Sequence, residues 1–72
     1  MDIEITQLPP GWTREELIQE ATKTLFGLAY SGICVACGEH HDGIEPDAVG
    51  YICASCGEYK VCGVEYIFIS LS

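Results

Sequence analysis

Cys34-Val-Ala-Cys37 and Cys53-Ala-Ser-Cys56 repeat one cysteine spacing, with fifteen residues between the pairs. Two residues between cysteines let a single tight turn aim both sulfurs at a common point. Two such turns give one tetrahedral ion four thiolates, the spacing of a Zn²⁺ site. Gly38 and Gly57 each follow the second cysteine of a pair, where the chain needs a positive φ that a Cβ penalises. Backbone N–H groups in these turns are placed to hydrogen-bond the sulfurs. Cys34, Cys37, Cys53 and Cys56 are therefore the expected ligands of one structural Zn²⁺, although tetrahedral S₄ also suits iron. Redox dithiols are the rival chemistry, but a redox C-x-x-C opens a helix in a βαβ setting, which this chain lacks. Four protein sulfurs leave no position for a reactive water, so the chain reads as non-enzymatic.

Other reactive side chains give weaker signals. Cys62 falls in an expected strand and reads as a small buried hydrophobe. His40 and His41 follow the first pair and read as exposed loop histidines, since four cysteines already complete a site. No motif places a Ser or Cys nucleophile beside them. Glu39, Asp42, Glu45 and Asp47 lack the register of a calcium loop and suit a solvated loop or an acidic docking surface. Trp12 and Tyr30 read as packing residues.

The elements that must position the cysteines have little material to work with. In 72 residues an apolar core supplies roughly 3–5 kcal/mol, so such a chain needs a staple. Five cysteines is an odd count for a closed disulfide set. The opening Met1-Asp2-Ile3-Glu4 puts acids where a secretory leader carries Lys or Arg, and no apolar run reaches 18 residues. A cytoplasmic, thiol-reducing setting without a membrane span is expected, where clustered cysteines bind metal. Eleven acids oppose Arg14, Lys23 and Lys60, a net charge of −8. Four thiolates with one divalent ion take it to −10. That balance disfavours phosphate backbones and suits a basic protein surface.

Ile3 and Ile5 alternate with polar residues, as in a short strand or arm, until Pro9-Pro10-Gly11 turns the chain. Thr13 and Glu16 form a capping box, with Trp12 and Leu17 placed as a hydrophobic staple. The helix they start should run from Arg14 to about Leu28. Leu17, Ile18, Ala21, Leu25 and Leu28 would face the core; Glu16, Gln19, Glu20 and Lys23 would point away. Gly32 is a plausible stop. Val49 to Ile52 reads as a strand into the second cysteine pair. Tyr59 to Leu71, rich in β-branched and aromatic residues, reads as strand, with Gly63 at a bulge or bend.

The run Cys34-Val-Ala-Cys37-Gly38-Glu39, then Ile44-Glu45-Pro46-Asp47-Ala48, Tyr51-Ile52-Cys53-Ala54-Ser55-Cys56-Gly57 and Val61-Cys62-Gly63-Val64-Glu65, resembles small zinc-ribbon proteins of bacteriophages and prophages. In those the last stretch usually reads Val-Tyr-Gly-Ala-Glu, so the resemblance casts Cys62 as a filler. It covers about residues 32 to 66 and carries no assigned activity.

The reading as a whole is an α+β fold: two C-x-x-C knuckles on a short antiparallel sheet, packed with one N-terminal amphipathic helix. It forms a single domain over 1–72, with an arm or strand over 1–12, helix over 13–31, and zinc ribbon with C-terminal strands over 32–72. The expected function is protein–protein interaction, as in a phage accessory protein targeting a host protein, with a homodimer through the C-terminal strand as one route. The alternative is an acidic nucleic-acid mimic inhibiting a host defence or transcription enzyme, of the anti-restriction or anti-CRISPR type. Direct nucleic-acid binding ranks third for want of bases, ahead only of an enzyme. Structural Zn²⁺ contributes on the order of 10 kcal/mol or more, well above the core. A strong chelator, or Cys53→Ser, should therefore unfold residues 33 to 72, read as collapse of amide chemical-shift dispersion; a dispersed spectrum after complete metal removal would contradict this.

Overall fold

Ser31–Cys34 is the strand around which the chain is arranged. The computed structural model describes residues 3–27 and 30–71. Within them lie α1 (Arg14–Leu25), β1 (Ser31–Cys34), β2 (His40–Asp42), β3 (Val61–Gly63) and α2 (Val64–Leu71). The sheet is antiparallel in the order β2-β1-β3. All four residues of β1 are buried. The fold is thus α+β, with two helices and three strands.

Side chains alternate across a strand, and here the two faces have separate duties. Ile33 pairs with Cys62 and Cys34 pairs with Val61. Ile33 and Cys62 join Ile5, Leu17, Val64 and Ile67 in the main core. Cys34 and Val61 join Cys53, backed by Ile44, on the other face. The sheet therefore divides a helical core from a cysteine cluster. Cys62 is fully buried opposite Ile33, as a filler should be, and burial pushes its thiol pKa up.

The capping box forms as expected. The Glu16 N–H donates to Thr13 Oγ1 at 3.2 Å, and the Thr13 N–H donates to Glu16 Oε1 at 3.0 Å. The helix stops sooner than its periodicity suggested. Phe26 is the C-cap and Gly27 takes φ +69°, its N–H reaching Thr24 O at 3.0 Å. Glycine just past the last turn is the usual left-handed stop. Leu28 lies outside the described residues, and by Ser31 the chain is already strand. The buried face of α1 is Leu17, Ala21 and Thr24, while Ile18 and Leu25 are exposed. Residues 3–8 form an arm without regular secondary structure, not a strand. Ile5 is buried in the core, and Tyr66 Oη donates to Ile3 O at 2.8 Å.

The largest departure is the C-terminus, where helix α2 replaces the expected strand. Gly63 is not a bulge but the junction where β3 becomes helix. A Cβ there would lie 2.2 Å from the carbonyl oxygens of Glu45 and Pro46. That close approach lets the Glu45–Ala48 turn cap the helix: Tyr66 N–H donates to Pro46 O at 3.1 Å, and Gly63 N–H to Ala48 O at 2.9 Å. Orphan N–H groups of a first helical turn need such partners. Val64 and Ile67 are buried one turn apart, and α2 packs on α1. Burial at helical spacing has overridden β-propensity, which depends strongly on context. The expected strand at Val49 to Ile52 shrinks to one bridge, Tyr51 to Val61, because Gly50 takes φ +78° and breaks the extended run.

A strand would place Ile67 and Ile69 on one face. In α2, Ile67 is 0% exposed and Ile69 62% exposed. Ile67→Ala should cost about 2–5 kcal/mol, whereas Ile69→Ala should stay within about 0.5 kcal/mol. Urea denaturation of the metal-loaded protein checks this; equal costs would restore the strand.

Candidate metal centre

Each cysteine pair sits in a turn that closes on itself through the same two hydrogen bonds. In the first, Cys34 N–H donates to Glu39 O at 2.9 Å and Gly38 N–H to Cys34 O at 2.7 Å. In the second, Cys53 N–H donates to Glu58 O at 2.8 Å and Gly57 N–H to Cys53 O at 2.8 Å. Gly38 and Gly57 have φ +85° and +78°, as their position requires. Gly38 has a further constraint, since a Cβ would fall 2.0 Å from Pro10 O. The Pro9-Pro10 corner is thereby seated on the first knuckle. Trp12 holds it there, with Nε1–H donating to Gly38 O at 2.8 Å.

The two knuckles face each other. Cys34 Sγ lies 3.6 Å from Cys56 Sγ, and Cys37 Sγ lies 3.6 Å from Cys53 Sγ. All four sulfurs fall within 4.8 Å of one another, the one such cluster of potential metal ligands among the described residues. These separations far exceed a disulfide's roughly 2.05 Å. A tetrahedron with Zn–S bonds of about 2.3 Å has sulfur–sulfur edges of about 3.8 Å. The donor set therefore fits a tetrahedral thiophilic ion with little rearrangement. Cys34 and Cys53, first in each pair, are buried; Cys37 and Cys56 are exposed.

The sulfurs differ in charge preference. The N–H groups of Cys56 and Ser55, with the His41 side chain, pull the Cys53 thiol down to about 6 against the opposing effect of burial. Cys37 receives the Glu39 N–H, yet burial and the thiols of Cys34, Cys53 and Cys56 push it up to about 12. Cys56 is likewise raised: the Glu58 N–H favours its thiolate, but burial and the thiols of Cys34 and Cys53 outweigh that. Crowding holds back the ionisation of Cys37 and Cys56, while backbone N–H groups favour it at Cys53. A cation removes that conflict.

The histidines lie in a strand rather than a loop, and of the two only His40 is exposed as expected. Both lie in β2, His41 paired with Gly32 and His40 with Ile33. His41 is half-buried, and its Nε2 is buried. His40 stacks on Trp12 with ring centroids 6.1 Å apart, and its Nε2 lies 3.2 Å from Glu20 Oε1. Glu20 does not point away from the fold. Burial would raise its pKa, but Lys23, Ser31 and His40 hold its carboxyl below the usual value. Tyr30 is exposed rather than packed, contributing its carbonyl to Gly43 N–H at 2.8 Å. Glu39, Asp42, Glu45 and Asp47 are all exposed, as expected of that acidic stretch. No signal in the sequence distinguished His41 from His40; only the pairing register does.

No family model, no curated protein and no solved structure matches this chain. The geometry of the four cysteines carries the reading of the site.

Ligand sulfurs must lose their protons to bind, so metal uptake releases protons. A thiol lowered to about 6 gives stability that is present above the unfolded value of 9.0 and lost as pH falls through about 6. Zn²⁺ uptake at neutral pH should therefore release about one proton fewer per ion than uptake below pH 6, where affinity should fall more steeply. A pH-stat titration of reduced, metal-free protein measures both; an unchanged proton count would contradict the Cys53 assignment.

Proposed function

We propose that this protein is a non-enzymatic zinc module whose ion organises the fold and whose helical surface binds another protein. The observation that carries the reading is the closed donor set: four sulfurs from the chain itself, all within 4.8 Å. Such a set fills a tetrahedral ion and leaves no position for substrate. The ion's contribution is then folding free energy.

Exposed apolar surface supports the interaction half of the reading. Ile18 and Leu25 on α1 and Ile69 on α2 are exposed, and with Phe68 and Glu65 they line a shallow depression of about 250 Å³ between the helices. Contiguous apolar surface rimmed by polar groups marks interaction sites. The homodimer through a C-terminal strand loses its basis, since Val64–Leu71 is helix. Charge argues for a protein rather than a nucleic acid. Of the three bases, Lys23 is paired with Glu20 at 3.0 Å, which leaves little to neutralise phosphates. No described helix is long and apolar enough to cross a membrane. The resemblance to phage and prophage zinc ribbons makes an accessory protein that acts on a host protein the specific form of this reading.

A photo-crosslinking residue at Ile69 in metal-loaded protein should give discrete protein adducts in cell extract. The same probe at exposed Glu58 should not, and chelation should abolish the Ile69 adducts. Identical adduct patterns at both positions would rule out this face.

A further inference from the structure

The middle residue of β2 faces inward. Within His40–Asp42 the outer two residues are exposed and His41 is half-buried. Its strand partner, Gly32, has no side chain, and the space a Cβ would need there is filled by Ile44, at 2.7 Å. Ile44 in turn packs on Cys34, Cys53 and Val61. His41 is thus set on the strand that backs the cysteine cluster. Gly32 and Cys34 project to the same face of β1, so His41, paired with Gly32, lies on the cysteine face of the sheet, in keeping with its side chain favouring the Cys53 thiolate. Its Nε2 is buried and has no hydrogen-bond partner among the described residues. A buried ring nitrogen without a partner carries an uncompensated desolvation cost.

We propose that His41 donates a hydrogen bond from Nε2–H to the Cys53 thiolate when the four-cysteine site holds its metal. This rests on the metal reading above and gives His41 a positioning role. His41 is not itself a ligand, because its nitrogens fall outside the group of donor atoms that lie within 4.8 Å of one another. The chemistry favours a donor at this place. Four thiolates around one divalent ion carry a net charge of −2, and each N–H aimed at a sulfur withdraws part of it. Ser55 and Cys56 supply backbone N–H groups to Cys53. His41 adds a side-chain donor from another strand, so it ties β2 to the second knuckle as well as tuning the sulfur. The two knuckles, alike in backbone, become unequal through this residue.

Cadmium-113 substitution tests the proposal in the full chain. The cadmium shift should fall in the all-sulfur range. The His41 ring should carry its proton on Nε2, and that proton should couple to the metal through Cys53 Sγ. His41→Phe, which keeps a ring but removes the donor, should weaken metal binding about 10–100-fold. His41→Gln, with an amide near the Nε2 position, should recover most of that loss. An all-sulfur shift with no coupling, or a proton on Nδ1 alone, would overturn the role of His41 and leave the metal site standing. A direct one-bond coupling from cadmium to Nε2 would overturn it too, by making His41 a ligand. A shift outside the all-sulfur range without such a coupling would remove the metal reading and this proposal together. If His41→Phe does not fold, the wild-type coupling decides alone.

Discussion

Four sulfur atoms within 4.8 Å set the terms for the rest of this molecule. Thiols crowded that closely resist ionising together: burial and the neighbouring thiols drive Cys37 up to about 12, while backbone N–H groups, that of Cys56 first, draw Cys53 down to about 6. The crowding is unfavourable unless a cation occupies the centre. A divalent ion would convert the repulsion into attraction, and in a chain of 72 residues that exchange would outweigh what the apolar core supplies. The elements around the cluster can be read as the means of bringing two distant turns to one point.

The sheet makes that convergence possible. β1 delivers Cys34 directly, and β3 leads away from the second knuckle, so pairing β1 with β3 fixes one cysteine turn against the other. The same pairing puts Ile33 and Cys62 on the opposite face, where the helices cover them. Cysteine cluster and apolar core share a backbone three or four residues long. Neither half can shift register without moving the other, since a one-residue slip exchanges the two faces of a strand. The Gly38 contact with Pro10 and the Trp12 bond to Gly38 O extend the coupling to the start of α1.

Helix α2 gives the fold its second character. It is apolar on most sides, buries Val64 and Ile67, and leaves Ile69 in solvent. Together with Ile18 and Leu25 this places apolar surface at one end of the molecule and sulfur chemistry behind the sheet. The four-cysteine cluster and this exposed apolar surface are the two features on which the proposed function rests.

The amino-acid sequence alone determined the parts governed by local spacing. The C-x-x-C pairs with their trailing glycines identified the four cysteines that converge, because a tight turn is a local object. The Thr13–Glu16 capping box located the start of α1 for the same reason. Tertiary structure decided what depends on partners distant along the chain. Val64–Leu71 has the composition of a strand and becomes helix because the Glu45–Ala48 turn caps its first turn and α1 covers its buried stripe. Thr24 rather than Leu25 faces inward because packing sets the rotation of a helix within an apolar stripe. His40 and His41 are neighbours of one residue type, and only strand register leaves one exposed and turns the other inward. Spacing along the chain can specify a turn; it cannot specify which distant element will satisfy a buried N–H.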